Sequence, residues 1–177
     1  VKIDKEKPKT IMHGVPDADE INLTQITNIT LEQYDNYSGV YGSVCAYDRM
    51  NCSTPIQVSQ QGSHILSFSS VDYAGNQEQE RIVNITLDSI KPVSIMHPDS
   101  SWRNAGNAFV NITCEDDGSG CSMISYSRQM AGMEKVIRDI KIYDELSYSA
   151  GQRTYHNISY RSIDNFGSME DLVSAAI

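Results

Sequence analysis

Short stretches of alternating apolar and polar residues recur along the chain. Around Ile26–Leu31, Val83–Leu87, Val110–Cys114 and Ile158–Tyr160 the apolar positions tend to fall on every second residue. That is the period of a strand with one face buried and the other wet. Gly39, Gly42, Gly62, Gly75, Gly118, Gly120, Gly151 and Gly167 punctuate the runs, at places where turns are needed. Six or seven short strands in each half predict a β-sandwich twice over. One segment fits two patterns. Met133, Val136, Ile137, Ile140 and Tyr143 suit a helical stripe as well as a strand, and both readings stay open.

The halves are copies of one another. KPKTIMH at 7–13 returns as KPVSIMH at 91–97, an offset of 84. Val1, Ile3, Asp4 and Pro8 align with Ile85, Leu87, Asp88 and Pro92; Asn28-Ile29-Thr30 aligns with Asn111-Ile112-Thr113, and Ser38-Gly39 with Ser119-Gly120. Near the end of each copy, SFSSVDYAGNQE at 67–78 matches SYRSIDNFGSME at 159–170, now at an offset of 92. The expected domains are therefore 1–88 and 89–177, joined by a short linker at Asp88–Pro92 where proline interrupts strand pairing. Both ends of the chain fall at the same phase of the repeat. The expectation is a mature product or excised piece, two modules of a longer array. The alternative is a subunit completed head-to-tail by its next copy.

The pattern Asp-x₃-Pro, a Ser-Gly turn, then S-x-D-x-x-G-N and a final strand resembles the tandem immunoglobulin-like repeats of archaeal and bacterial cell-surface proteins. The likeness covers nearly the whole chain. It implies an all-β fold of two tandem immunoglobulin-like β-sandwich domains, and says little of activity, because that sandwich hosts many roles. Within it, CEDDGSGC at 114–121 is similar to a cysteine-clamped loop between the second and third strands. The second copy departs from the pattern, with Phe166 and Ser168 where Ala74 and Asn76 stand in the first.

Four cysteines sharpen the setting. Cys45 and Cys52 lie seven apart, as do Cys114 and Cys121. Three pairings exist, and one local bridge in each half fits the spacing best. A zinc site normally uses tighter C-x₂₋₄-C knuckles, and redox pairs use C-x-x-C. Two bridges imply an oxidising, extracellular or cell-surface compartment. They also staple domains too small for a large core.

Acceptor triplets for N-linked glycans begin at Asn22, Asn28, Asn36, Asn51, Asn84, Asn111 and Asn157, seven of eleven asparagines, where chance would give about two. In an N-I-T strand the isoleucine (Ile29, Ile85, Ile112 or Ile158) is expected to face the core, leaving the acceptor on the wet face. A bridged Cys52 would restrict access to Asn51.

The remaining chemistry is sparse. A net charge of −9 argues against nucleic acid as a partner. No apolar run reaches the roughly 20 residues that span a bilayer, so no membrane insertion is expected in this segment. Asp88 at the junction, with Glu32 or the Glu115, Asp116 and Asp117 loop, is a calcium candidate. Otherwise no cofactor is expected. Asp72 and Asp164 are read instead as turn-capping aspartates. His13 pairs with His97 and His64 with His156 across the repeat, which suggests structural use. No H-E-x-x-H or G-x-S-x-G occurs. Trp102, Tyr143, Tyr148 and Tyr155 are candidates for a sugar platform. The expectation is a non-catalytic spacer or assembly module whose partners are neighbouring modules, identical subunits and its own glycans. The alternative is a carbohydrate- or protein-binding module of a secreted adhesin or enzyme.

Overall fold

The computed structural model describes residues 3–98, 106–130, 133–139, 141–148 and 156–176. Every described element is a strand. The chain divides into two units, Val1–Ser89 and Ile90–Ile177. No helix among the described residues is long and apolar enough to cross a membrane.

In the first unit, β1 (Lys9–His13), β3 (Thr27–Tyr34) and β6 (Ile56–Val58) form one antiparallel sheet. The second sheet has the order β2 (Glu20–Leu23), β8 (Arg81–Leu87), β7 (Gly62–Asp72), β4 (Val40–Tyr47), β5 (Met50–Asn51). Only β2 pairs in parallel, against β8. Alternation fixes which side chains meet between the sheets. Ile29 and Leu31 of β3, Leu66 and Phe68 of β7, and Val83 and Ile85 of β8 turn inward and form the centre of one core. Each such side chain contributes roughly 1.5–3 kcal/mol by leaving water. Ile26 departs from the expected pattern. It precedes β3 and is exposed, because the inward positions are Ile29 and Leu31.

The second unit repeats the plan. β9 (Val93–Pro98), β10 (Gly106–Glu115) and β13 (Ile142–Tyr148) make one sheet, with β10 central. The other has the order β12 (Met133–Asp139), β11 (Cys121–Met130), β14 (Asn157–Asp164), β15 (Val173–Ala176). Val110, Ile112, Ile124, Tyr126, Ile142 and Ile158 fill its core. The segment open to two readings is extended: β12 pairs residue by residue with β11, and β13 with β10. Val136 is exposed beside half-buried Ile137, and it is the ladder pairing that excludes the helical stripe. In each unit the first, second and fifth strands of the shared plan oppose the rest across a single core, which is the immunoglobulin-like sandwich.

A glutamate just beyond the repeated turn clamps the two sheets of each unit. Glu78 accepts the Thr10 backbone N–H at 2.8 Å, the Thr10 hydroxyl at 2.6 Å and the Ser70 hydroxyl at 2.8 Å, joining β1 to β7. Glu170 accepts from Ser94 N–H at 3.0 Å, Ser162 N–H at 3.0 Å and the Ser162 hydroxyl at 2.9 Å, joining β9 to β14. Ser70, Ser94 and Ser162 are buried, so losing the acceptor strands donors away from water. Glu170→Ala is expected to lower the stability of the second unit by about 2–3 kcal/mol in urea denaturation. A loss below about 0.5 kcal/mol would remove the clamp from the account.

Candidate functional site

The seven acceptor asparagines divide by burial. Ile29, Ile85, Ile112 and Ile158 are all buried, which puts their neighbours on the opposite face of each strand. Asn22, Asn28, Asn36, Asn51, Asn84 and Asn157 are exposed. Asn111 is half-buried, and its Oδ1 is buried without a hydrogen-bond partner. Six acceptors are therefore presented to solvent and one is withdrawn.

Both bridges are local. Cys45 on β4 joins Cys52 beyond β5, with Cα atoms 5.4 Å apart, and Cys52 N–H donates to the Cys45 carbonyl at 3.1 Å. This bridge lies along one sheet. Cys114 is the next-to-last residue of β10 and Cys121 opens β11, with Cα atoms 6.2 Å apart. That bridge ties opposite sheets across the loop of Glu115, Asp116 and Asp117.

At the same end of each unit, aspartates gather around the repeated turn. Asp72 Oδ1 accepts Asn76 N–H at 2.7 Å, and its Oδ2 accepts the Asn76 amide at 2.7 Å. Asp164 Oδ1 accepts the N–H groups of Phe166 and Ser168, each at 2.8 Å. Both carboxylates cap turns. Burial raises the pKa of Asp72, but the Asn76 side chain and N–H outweigh it and hold it below the ordinary carboxylate value. Asp35 caps its own loop through Tyr37 and Gly39 N–H at 3.0 and 2.7 Å. Asp116 does the same through Gly118 and Gly120 at 3.2 and 2.6 Å. Asp4, Asp35 and Asp72 offer carboxylate oxygens within 4.8 Å of one another, and so do Asp116 and Asp164.

Of the residues read as calcium candidates, only Asp116 joins Asp164 within the second unit; Glu115 and Asp117 are exposed. Asp88 is buried at the end of β8, its N–H donating to the Leu23 carbonyl at 2.8 Å. Glu32 is exposed and takes His13 Nε2 at 3.0 Å. Asp35 is the member of this group that the sequence reading misses, although D-x-x-S-G at Asp35 and Asp116 is a readable signal.

The histidines are structural partners. His64, 7% exposed, contacts Asp48 Oδ2 through Nδ1 at 2.7 Å and the Gln60 carbonyl through Nε2 at 2.8 Å. Its ring stacks on Tyr47, centroids 5.3 Å apart. His156 is fully buried, and burial together with nearby Arg128 lowers its pKa. Asp144, 2% exposed, accepts the Tyr126 hydroxyl at 2.9 Å and pairs with Arg128 at 3.3 Å and with Lys135. Burial raises the pKa of Asp144, but these partners outweigh it and keep the carboxylate ionised.

Trp102 and Tyr155 lie outside the described residues, as do the side chains of Tyr143 and Tyr148. The described aromatic cluster is elsewhere. An open cleft of about 650 Å³ in the first unit is lined by Ile3, Asp4, Asn36, Tyr37, Ser38, Tyr73 and Ala74. Tyr37, Tyr41 and Tyr73 are exposed, and Tyr41 meets Tyr73 edge-on at 5.4 Å.

No family model matches the sequence, and no curated protein matches it. Among solved structures, the fibronectin(III)-like modules of CbhA from Clostridium thermocellum match at 14% identity with a TM-score of 0.49, over 96% of this chain and 93% of that one. Dimeric latent PorU from Porphyromonas gingivalis matches at 10% identity with a TM-score of 0.36. That match covers 97% of this chain, which spans a fifth (20%) of PorU.

The His64 contacts carry a pH dependence. Burial lowers its pKa, but the Asp48 carboxylate and the Gln60 carbonyl outweigh this and leave it above the ordinary histidine value. A raised folded pKa gives stability that is complete below the unfolded value, roughly 6.5. That contribution is lost as pH rises through the folded value. Urea denaturation is expected to show this contribution falling as pH rises above the ordinary histidine value, and His64→Gln to flatten that part of the profile. An unchanged slope in the variant would contradict the assignment.

Proposed function

We propose that this chain is a pair of non-catalytic immunoglobulin-like modules from an extracellular or cell-surface glycoprotein of archaeal or bacterial type, serving as spacer or assembly units. The observation that carries the reading is the placement of six acceptor asparagines on the wet faces of units that each close with their own bridge. Glycans at those positions leave the surface without disturbing either core. They also shield strand edges from unwanted pairing and from proteases. Neighbouring modules or identical subunits are the natural partners of such a unit.

Secretion from a host with N-glycosylation is expected to give a mass above the 19.7 kDa of the polypeptide. That mass should fall on enzymatic deglycosylation. Peptide mapping should find sugar at several of Asn22, Asn28, Asn36, Asn84 and Asn157 and none at Asn111. An unmodified polypeptide from such a host would refute the glycoprotein reading.

The tyrosine-lined cleft favours a second reading, a module that binds sugar or a partner loop at one end of the first unit. Exposed aromatic rings beside carboxylate and amide groups suit a glycan's alternating apolar and hydroxyl faces. Under this reading Tyr37→Ala or Tyr73→Ala weakens glycan-array binding about tenfold or more. Absence of any array signal from the unaltered chain leaves the spacer reading alone.

A further inference from the structure

The two copies of the aspartate turn differ at one position, and that difference leaves polar atoms unmatched in the second. In the first unit the Asn76 amide reaches Asp72 Oδ2 at 2.7 Å, so both oxygens of this buried carboxylate have partners. In the second unit the matching residue is Ser168, whose side chain carries no amide. Asp164 Oδ2 is buried with no hydrogen-bond partner, and so are Ser168 Oγ and Asp116 Oδ1. Asp164 itself is 2% exposed. A buried anionic oxygen without a donor is strongly disfavoured unless something positive meets it. No described Lys or Arg ion pair reaches either carboxylate.

We infer that the second unit holds one hard divalent cation, of the calcium class, between Asp116 and Asp164. Each offers an oxygen within 4.8 Å of the other's. Oxygens within that limit can share one ion of the calcium class, whose oxygen ligands sit at about 2.3–2.6 Å. Ser168, whose N–H bonds Asp164 Oδ1 at 2.8 Å, adds a buried hydroxyl oxygen of the same hard class to this turn, and water completes the shell. The backbone N–H groups that fix Asp116 and Asp164 all bond to their other oxygens, so ion binding leaves both turns intact. The first unit, where the Asn76 amide already occupies Asp72, has no such vacancy.

The test is calorimetric titration of CaCl₂ into the full chain after chelator treatment. One saturable site is expected, with a dissociation constant of about 10⁻⁴–10⁻³ M, the range of extracellular modules. Calcium should also raise the melting midpoint. Ser168→Asn restores the amide of the first unit and should weaken binding at least about tenfold, while Asp35→Asn in the first unit leaves it unchanged. Should Ser168→Asn fail to fold by circular dichroism, Asp164→Asn is read in its place, since its remaining oxygen can still cap the turn. The inference is overturned by no binding up to about 10 mM calcium, by undiminished binding in the second-unit variant, or by loss on Asp35→Asn.

Discussion

Everything in this chain depends on strands that must hide every second side chain. Each unit has fewer than 90 residues and therefore limited apolar surface to bury. Ile29, Ile85, Ile112 and Ile158 point inward at matching places. A slip of one residue would place them in water and drive their asparagine neighbours into the core. Register, core and the face that carries the acceptor triplets are thus one constraint seen from two sides. That is why acceptor triplets can be dense here without weakening the fold.

Cores this small need polar closure at their ends. Each unit uses three devices: a local bridge, an aspartate that caps the turn after its longest run of pairing, and a glutamate that joins the two sheets. Their placement differs. Cys45–Cys52 reinforces one sheet, whereas Cys114–Cys121 crosses between sheets. The second unit also carries buried charge around Asp144. Its net contribution to stability is small for its number of contacts, because desolvation offsets much of the attraction.

The alternation, the internal repeat and the capping roles of Asp72 and Asp164 were legible in the residues themselves. Less local features were not. Glu78 and Glu170 appear in the repeated motif, but nothing in their spacing says that they reach Thr10 and Ser94 on another sheet. The β4–β5 hairpin turns through Asp48 and Arg49, with φ of 51° and 68°, without the usual glycine signal. Asp48 is held there by His64 and by Ile65 N–H at 2.9 Å, contacts that only the fold supplies. The stretch from Met133 to Tyr143 satisfied two periods, and pairing with β11 and β10 decided between them. The aromatic candidates in the sequence were Trp102, Tyr143, Tyr148 and Tyr155, whereas Tyr37 and Tyr73, far apart in the chain, line one cleft.

The central claim is that each unit closes on itself in an oxidising environment. Non-reducing peptide mapping of the secreted chain tests it most directly. The account predicts two cross-linked peptide pairs, Cys45 with Cys52 and Cys114 with Cys121, and no free thiol. Four free thiols, or a link joining a cysteine of the first unit to one of the second, would contradict it.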